Sequence, residues 1–185
     1  MVDHPLTTLR APVHKDTPRL DPVCVSCTAP EDDSLTFAVS EHWKLLLHPD
    51  QTVPGALLVV SLRHVPKVSE LNANEAFELF ELYKCLEQVL ERGLGASMVN
   101  LSCLRNWAYR RENPDPPLLN GLPNPHVHWH VAPRYASPVS IEGVSFIHDA
   151  FGKELVWKSR RIGNDVRTRI IAVLSDGLGL PNTPE

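Results

Sequence analysis

Several features that would point to particular classes of protein are missing from this chain. Its 22 acidic residues slightly outnumber its 18 basic ones, and no basic stripe is visible. Binding to nucleic acid through a charged face is therefore not expected. Residues 1–22 contain no continuous apolar run, so we expect neither a signal peptide nor a membrane span and predict a cytoplasmic protein without a membrane partner. The 185 residues, without internal repeats, suffice for one domain with a substantial core.

Cysteine is also scarce, and the chain has a single Cys-x-x-Cys pair, Cys24 and Cys27. In a cytoplasmic protein, cysteines are better interpreted as thiols or metal ligands than as disulfides. A thioredoxin-like motif would stand where a strand enters a helix, and no helical pattern follows Cys27. Zinc needs about four ligands, and two thiolates supply half of them. Because Cys85 and Cys103 stand alone in the sequence, the remaining ligands would have to be histidines.

The most informative stretch that is present alternates histidine with apolar residues, His126-Val127-His128-Trp129-His130. In an extended strand successive side chains point to opposite faces. The three histidines are therefore expected on one face, with the apolar residues on the other. Histidine can act as a base, a nucleophile or a metal ligand near neutral pH. The apolar face predicts a packed strand that holds these histidines rigidly.

Other patterns predict the elements around this strand. Short strands are expected over 35–39, 43–47, 56–62 and 97–101. Asn72 and Glu75 resemble a capping box. The helix that follows is expected to end at Gly93 or Gly95. It is indicated by apolar residues at helical spacing, namely Phe77, Phe80, Tyr83, Leu86, Val89 and Leu90. A second amphipathic helix is predicted over 164–174, ending near Gly177. Residues 1–23, rich in proline and polar residues, predict an extended N-terminal arm.

The histidine stretch, continued by Val131-Ala132-Pro133-Arg134-Tyr135, resembles the signature of the histidine triad nucleotide-binding family. The resemblance extends upstream to 54–60, 63–65 and 70–71, and to Asn100. It implies an α+β fold, HIT-like, with an antiparallel sheet of about five strands and helices packed on one side. Residues 24–135 would form the catalytic domain, and 136–185 a C-terminal extension with a helix packed on the same domain. Family members usually pair, so a homodimer is expected.

The resemblance also implies roles for particular residues. His128 would attack the α-phosphorus of a nucleotide and form a covalent nucleotidyl-histidine, and His130 would donate a hydrogen bond to the phosphate or the leaving group. Asn100 would lie beside the phosphate, and Asn124 stands near the place where the family often has a glutamine. Zinc-containing members imply a structural Zn²⁺ held by four residues of this chain: Cys24, Cys27, His64 and His126.

The activity implied is hydrolysis or transfer of a nucleoside monophosphate from a dinucleoside polyphosphate or a nucleoside phosphoramidate, with a nucleotide substrate as the main partner. Hydrolysis is favoured because His130 stands where the related transferases carry glutamine. The sequence departs from the family by lacking that upstream glutamine and by a longer 106–125 loop. Two other functions stay open: a nucleotide-binding regulatory module without turnover, and a zinc-dependent hydrolase whose metal is bound by the three triad histidines.

Simpler interpretations stay open for individual residues. The alternating histidines could form a satisfied polar strip on an exposed sheet. His64 could be a surface histidine, Asn100 a turn former, and Arg110 and Arg111 solvated loop charges rather than substrate contacts. The remaining histidines are interpreted as surface residues without a role: His4, His14, His42, His48 and His148.

Overall fold

A computed structural model of the chain describes residues 9–10, 24–28 and 34–180. Its centre is a five-stranded antiparallel sheet with the strand order β1-β2-β3-β5-β4. The strands are β1 (Thr36–Val39), β2 (Trp43–Leu47), β3 (Leu57–Ser61), β4 (Met98–Ser102) and β5 (His128–Arg134). The α+β class and the five-stranded antiparallel sheet expected from the sequence are confirmed. The expected arm over 1–23 lies outside the described residues, apart from residues 9–10.

Three α-helices, two short 3-10 helices (Val68–Glu70 and Asn106–Tyr109) and a small hairpin complete the described part of the chain. The α-helices are α1 (Val25–Thr28), α2 (Ala73–Leu94) and α3 (Asn164–Gly177), and the hairpin pairs β6 (Val139–Ile141) with β7 (Val144–Phe146). The predicted capping box of α2 is confirmed, because Glu75 N–H donates to Asn72 Oδ1 at 2.9 Å and Asn72 N–H donates to Glu75 Oε2 at 2.8 Å. Gly95 ends α2 in the left-handed region, at φ 75°. No helix within 24–28 or 34–180 combines the length and the apolar content needed to cross a membrane.

The core lies between the sheet and the two long helices. The buried side of α2 is lined by leucines, and α3 adds Val166, Ile170 and Leu174 to the same core. Phe77 and Phe80, two members of the apolar pattern that indicated α2, are 63% and 60% exposed. Spacing alone could not separate the two sides, because α2 carries large apolar residues on both. The helix was correctly predicted, but its buried side is formed by Leu79, Leu82, Leu86 and Leu90.

The two faces of β5 differ as its alternating sequence predicts. Val131 is buried in the core, whereas His128 and His130 are half-buried. Across the sheet, His128 pairs with Val60, while His130 lies between Leu58 of β3 and Ser102 of β4. His126 lies just before β5, so only two of the three histidines belong to the strand. The histidine face of the central strands is therefore where the candidate site must be sought.

Candidate functional site

The four predicted metal ligands, distant in the sequence, lie together in the structure. Cys24 and Cys27 belong to the segment around α1, His64 follows β3, and His126 precedes β5. Their ligand atoms all lie within 4.8 Å of one another. His126 Nδ1 is 3.3 Å from Cys24 Sγ and 3.4 Å from Cys27 Sγ, and His64 Nδ1 is 3.3 Å from Cys27 Sγ. The fold thus brings the segment of Cys24 and Cys27 next to the residues that follow β3 and those that precede β5.

Both imidazoles of this cluster are oriented by contacts at their second nitrogen. His126 Nε2 lies 2.8 Å from the carbonyl oxygen of Ser61, and His64 Nε2 lies 2.9 Å from Asn124 Oδ1. Since both partners are acceptors, Nε2 carries the proton in each ring and Nδ1 presents its lone pair to the thiols. Metal-binding histidines are commonly fixed by such outer contacts. Ser61 and Asn124 are therefore positioned to orient the two histidines.

The donor set fits a tetrahedral metal ion. Zinc bonds of the usual lengths to sulfur and nitrogen place neighbouring ligand atoms about 3.6 Å apart, close to the sulfur–nitrogen distances of 3.3 and 3.4 Å found here. A hydrogen bond from Cys27, together with His126, lowers the pKa of the Cys24 thiol to about 3 although burial acts in the opposite direction. The thiolate is the form that binds metals. Two thiolates and two neutral imidazoles would close the coordination shell around a zinc ion.

His128 is held with one nitrogen engaged and the other available. Its Nδ1 lies 2.8 Å from the carbonyl oxygen of His126, so this nitrogen must donate its proton to the carbonyl. Nε2 is then left with its lone pair. Burial lowers the pKa of His128 and the charge of Arg105 acts in the same direction, whereas the hydrogen bond to the His126 carbonyl raises it. The ring is therefore neutral at pH 7, which is the nucleophilic form of histidine.

His130 lies beside His128 among aromatic rings that the sequence did not predict. The two ring centroids are 5.2 Å apart, and the His48 ring lies 5.4 Å from that of His130. Trp157 stacks on His48 with centroids 4.3 Å apart and an interplanar angle of 17°. His48, interpreted from the sequence as a surface residue without a role, thus forms part of the surroundings of the triad. No sequence pattern linked residues 48, 130 and 157, because they come from separate segments of the chain.

The segment that carries Trp157 is fastened across the sheet through its backbone. Arg134 Nη2 donates to the carbonyl oxygens of Ala150 and Lys153 at 2.7 and 2.6 Å. Further along, the Asp50 carboxylate accepts the amide protons of Ser159 and Arg160 at 2.7 and 2.9 Å. These contacts hold residues 150–160, which we call the tail segment, against the end of β5 and the loop after β2. Trp157 is brought to the triad by this fastening.

The two asparagines predicted to bind substrate occupy different surroundings. Asn100, on β4, accepts a hydrogen bond from Arg134 Nη1 at 2.8 Å, and its strand position pairs with Ala132 on β5. Asn124 is buried next to His64 in the metal-ligand cluster. The structure therefore brings His128 and His130 together, and separately gathers the four thiol and imidazole ligands. Substrate contacts of Asn100 and Asn124 stay predictions.

The surroundings of His130 give a testable dependence of stability on pH. Burial, with His128 and His48 adding to it, lowers the pKa of His130 from 6.5 to about 3. Between these values the unfolded chain binds a proton that the folded chain does not, so stability decreases as pH falls through this window. We expect the wild type to lose about 1 kcal/mol per pH unit more than His130→Gln. Urea unfolding at pH 7, 6 and 5 measures the two slopes, and parallel slopes would contradict this account.

The fold of the described residues is similar to that of solved histidine triad proteins. One such structure is a hypothetical histidine triad nucleotide-binding protein from Sulfolobus tokodaii strain7. The structural match covers 80% of this chain and 86% of that protein, at 13% identity and a TM-score of 0.54. A second is a Zn-bound histidine triad family protein from Mycobacterium smegmatis. That match covers 80% of this chain and 85% of the other protein, at 15% identity and a TM-score of 0.51. The resemblance to the histidine triad family that was identified from the sequence is confirmed by this fold.

Sequence comparison adds a particular relative. The chain is 32% identical over 82 residues to the asymmetrical bis(5'-nucleosyl)-tetraphosphatase of Schizosaccharomyces pombe. The match covers 44% of this chain and 39% of the relative, so it spans about two-fifths of that protein's length. No protein-family model matches the chain.

Proposed function

We propose that this chain is a nucleotide hydrolase that acts at the α-phosphate through a covalent nucleotidyl-histidine on His128. The observation that carries the proposal is the 2.8 Å contact between His128 Nδ1 and the carbonyl oxygen of His126. It fixes the tautomer and leaves a neutral Nε2 lone pair for attack on phosphorus. In the first step Nε2 forms a bond to phosphorus while the bond to the leaving group breaks. In the second step water takes the nucleotidyl group and His128 is released.

His130 is suited to a supporting role as a hydrogen-bond donor. Its Nδ1 is buried without a hydrogen-bond partner among the described residues. Burying an unpaired N–H is rarer and more costly than burying an unpaired acceptor, so the favoured tautomer has its proton on Nε2. That N–H can donate to a phosphate oxygen or to the leaving group. With the pKa lowered to about 3, the donor is a neutral imidazole at pH 7.

The substrate class is proposed from chemistry and from the relatives together. The relative from Schizosaccharomyces pombe is named for hydrolysing a dinucleoside tetraphosphate. We propose dinucleoside polyphosphates or nucleoside phosphoramidates as substrates of this chain. Asn100 would contribute a neutral amide near the phosphate, at the strand position two residues before Ser102, the partner of His130. Asn124 would act on the site indirectly, through His64.

We propose a structural Zn²⁺ bound by Cys24, Cys27, His64 and His126. When bound, the metal would link the segment around α1 to the central strands and would hold the chain just before His128. The alternative of a catalytic zinc on the three triad histidines has little support, since His126 directs Nδ1 to the thiols. Among the described residues, this cluster is the one group suited to a metal ion.

Intact-protein mass spectrometry tests the covalent step. The protein is mixed briefly with dinucleoside polyphosphates and nucleoside phosphoramidates carrying adenine or guanine, and then quenched at high pH. We expect an added mass of one nucleoside monophosphate, absent from His128→Ala. Product formation without an adduct, unaffected by that substitution, would rule out the proposed nucleophile. Nucleotide binding with neither adduct nor product would favour the regulatory module instead.

A further inference from the structure

Arg105 occupies an unusual place at the start of the long loop. It follows β4 and immediately precedes the 3-10 helix Asn106–Tyr109, with φ of 51°, in the left-handed region that residues other than glycine seldom adopt. At the end of β4, Ser102 pairs with His130 of the antiparallel strand β5. The chain leaving β4 therefore runs past the beginning of β5, where His128 lies. Arg105 is positioned next to the proposed nucleophile by this register.

The guanidinium of Arg105 is fixed in place but largely uncompensated. Nη1 donates to the carbonyl oxygen of Pro66 at 2.5 Å, which anchors the side chain to the loop after β3. Nε is buried without an acceptor, and no carboxylate forms an ion pair with this guanidinium within the described ranges. A guanidinium has five N–H donors and a permanent positive charge. An anchored cation without a carboxylate partner is equipped to bind an anion.

Arg105 and His128 share a neighbour in Cys103. The Cys103 thiol has both the His128 backbone and the Arg105 side chain as stabilising neighbours, although burial dominates and raises its pKa. These shared contacts agree with the strand register. Arg105 and His128 therefore both lie next to Cys103.

Other cations around the histidine face are already engaged. Arg134 is occupied by Asn100 and the tail segment, and Lys158 pairs with Asp149 at 2.9 Å. Arg160 donates to the carbonyl oxygen of Ser145 and lies over the Phe146 ring. The His130 ring adds no charge at pH 7, because burial lowers its pKa to about 3. Among these cations, Arg105 is the one that the register of β4 and β5 places beside His128.

We propose that Arg105 binds the phosphate next to the scissile bond in the leaving group, and so makes the enzyme selective for anionic leaving groups. This inference rests on the proposed function, since it assigns a residue to the same reaction. Departure of a nucleoside polyphosphate places added negative charge on its terminal phosphate, which a fixed cation stabilises. A neutral amine leaving group offers no such charge. Arg105 would thereby fill the role left by the glutamine that this sequence lacks.

Kinetics with two substrate classes test the assignment. For Arg105→Ala we expect kcat/KM to fall about 10- to 100-fold on a dinucleoside polyphosphate, the usual worth of a charge-assisted hydrogen bond. On a nucleoside phosphoramidate with a neutral amine leaving group, the decrease should stay within about threefold. Arg105→Lys should recover part of the loss, because it retains the charge without the planar geometry. Arg111→Ala removes an exposed charge from the same loop and serves as the matched control.

Equal losses on both substrates would overturn the inference, because they would assign Arg105 to the α-phosphate or to folding. A binding experiment keeps the test independent of turnover. If Arg105 binds the leaving-group phosphate, the ratio of ADP to AMP affinity (or GDP to GMP) should fall about tenfold or more in Arg105→Ala. An unchanged ratio would contradict it. Absence of all turnover in the wild type would instead sink the proposed function, while the affinity ratio would still decide the role of Arg105.

Discussion

His128→Ala should lower turnover by at least about 1,000-fold while leaving nucleotide affinity within about tenfold of the wild type. The substitution removes the Nε2 lone pair but no element of the fold, because the ring is half-buried and its one hydrogen bond is to a neighbouring carbonyl. Steady-state kinetics and calorimetric titration with a nucleoside monophosphate measure the two quantities. His42→Ala, which changes a histidine outside the triad cluster, is the control. Turnover retained by His128→Ala would mean that another group attacks phosphorus.

The second large effect is expected at the thiol and imidazole cluster. Cys24→Ser should reduce zinc content well below one ion per chain and lower the free energy of unfolding by about 3 kcal/mol or more. Cys24 and His126 are separated by 102 positions, and a bridge that closes so long a loop removes much entropy from the unfolded chain. Elemental analysis and urea unfolding, each with and without a chelator, measure both effects. Turnover per folded molecule should stay close to that of the wild type, because the loss is expected in the free energy of unfolding.

Cys85→Ser is the matched control for that substitution. Cys85 is a half-buried cysteine on α2, outside the cluster, so zinc content should be unchanged. If zinc remained near one ion per chain in Cys24→Ser, the proposed ligand set would be wrong. If chelation abolished turnover while the chain stayed folded, the metal would have a catalytic rather than a structural role.

The sequence was most informative where the pattern is local. The extended strand around the histidines and the capping box at Asn72 depend on neighbouring residues. The capping box is confirmed, and so is a strand, β5, whose apolar residues Trp129 and Val131 pack with the core. The grouping of Cys24, Cys27, His64 and His126 spans long distances, and it could be expected only because the resemblance to a known family supplied the topology. The structure brings these four residues together. Which ion they bind stays a prediction.

The features that could not be predicted from the sequence depend on packing between distant segments. The spacing of Phe77 and Phe80 indicates α2 but not the side of it that is buried, since that depends on where α3 packs. Both side chains are exposed on α2, and the predicted homodimer stays a prediction. Trp157 reaches His48 only because the tail segment crosses the sheet. Arg105 was missed for the same reason, because nothing in its local sequence shows that β4 ends beside His128.

The way in which the tail segment is attached bears on how this protein could diversify. Arg134 and Asp50 form hydrogen bonds to carbonyl and amide groups of the backbone. Every residue type other than proline has both of these backbone groups. Side chains between these two attachment points, at residues 154–157, take no part in the backbone contacts, although Leu155 and Trp157 also pack against the core. Trp157 forms part of the wall beside the triad. Mutation at Trp157 can thus reshape that wall while the backbone contacts that hold the segment are kept, so new substrate preferences could arise here.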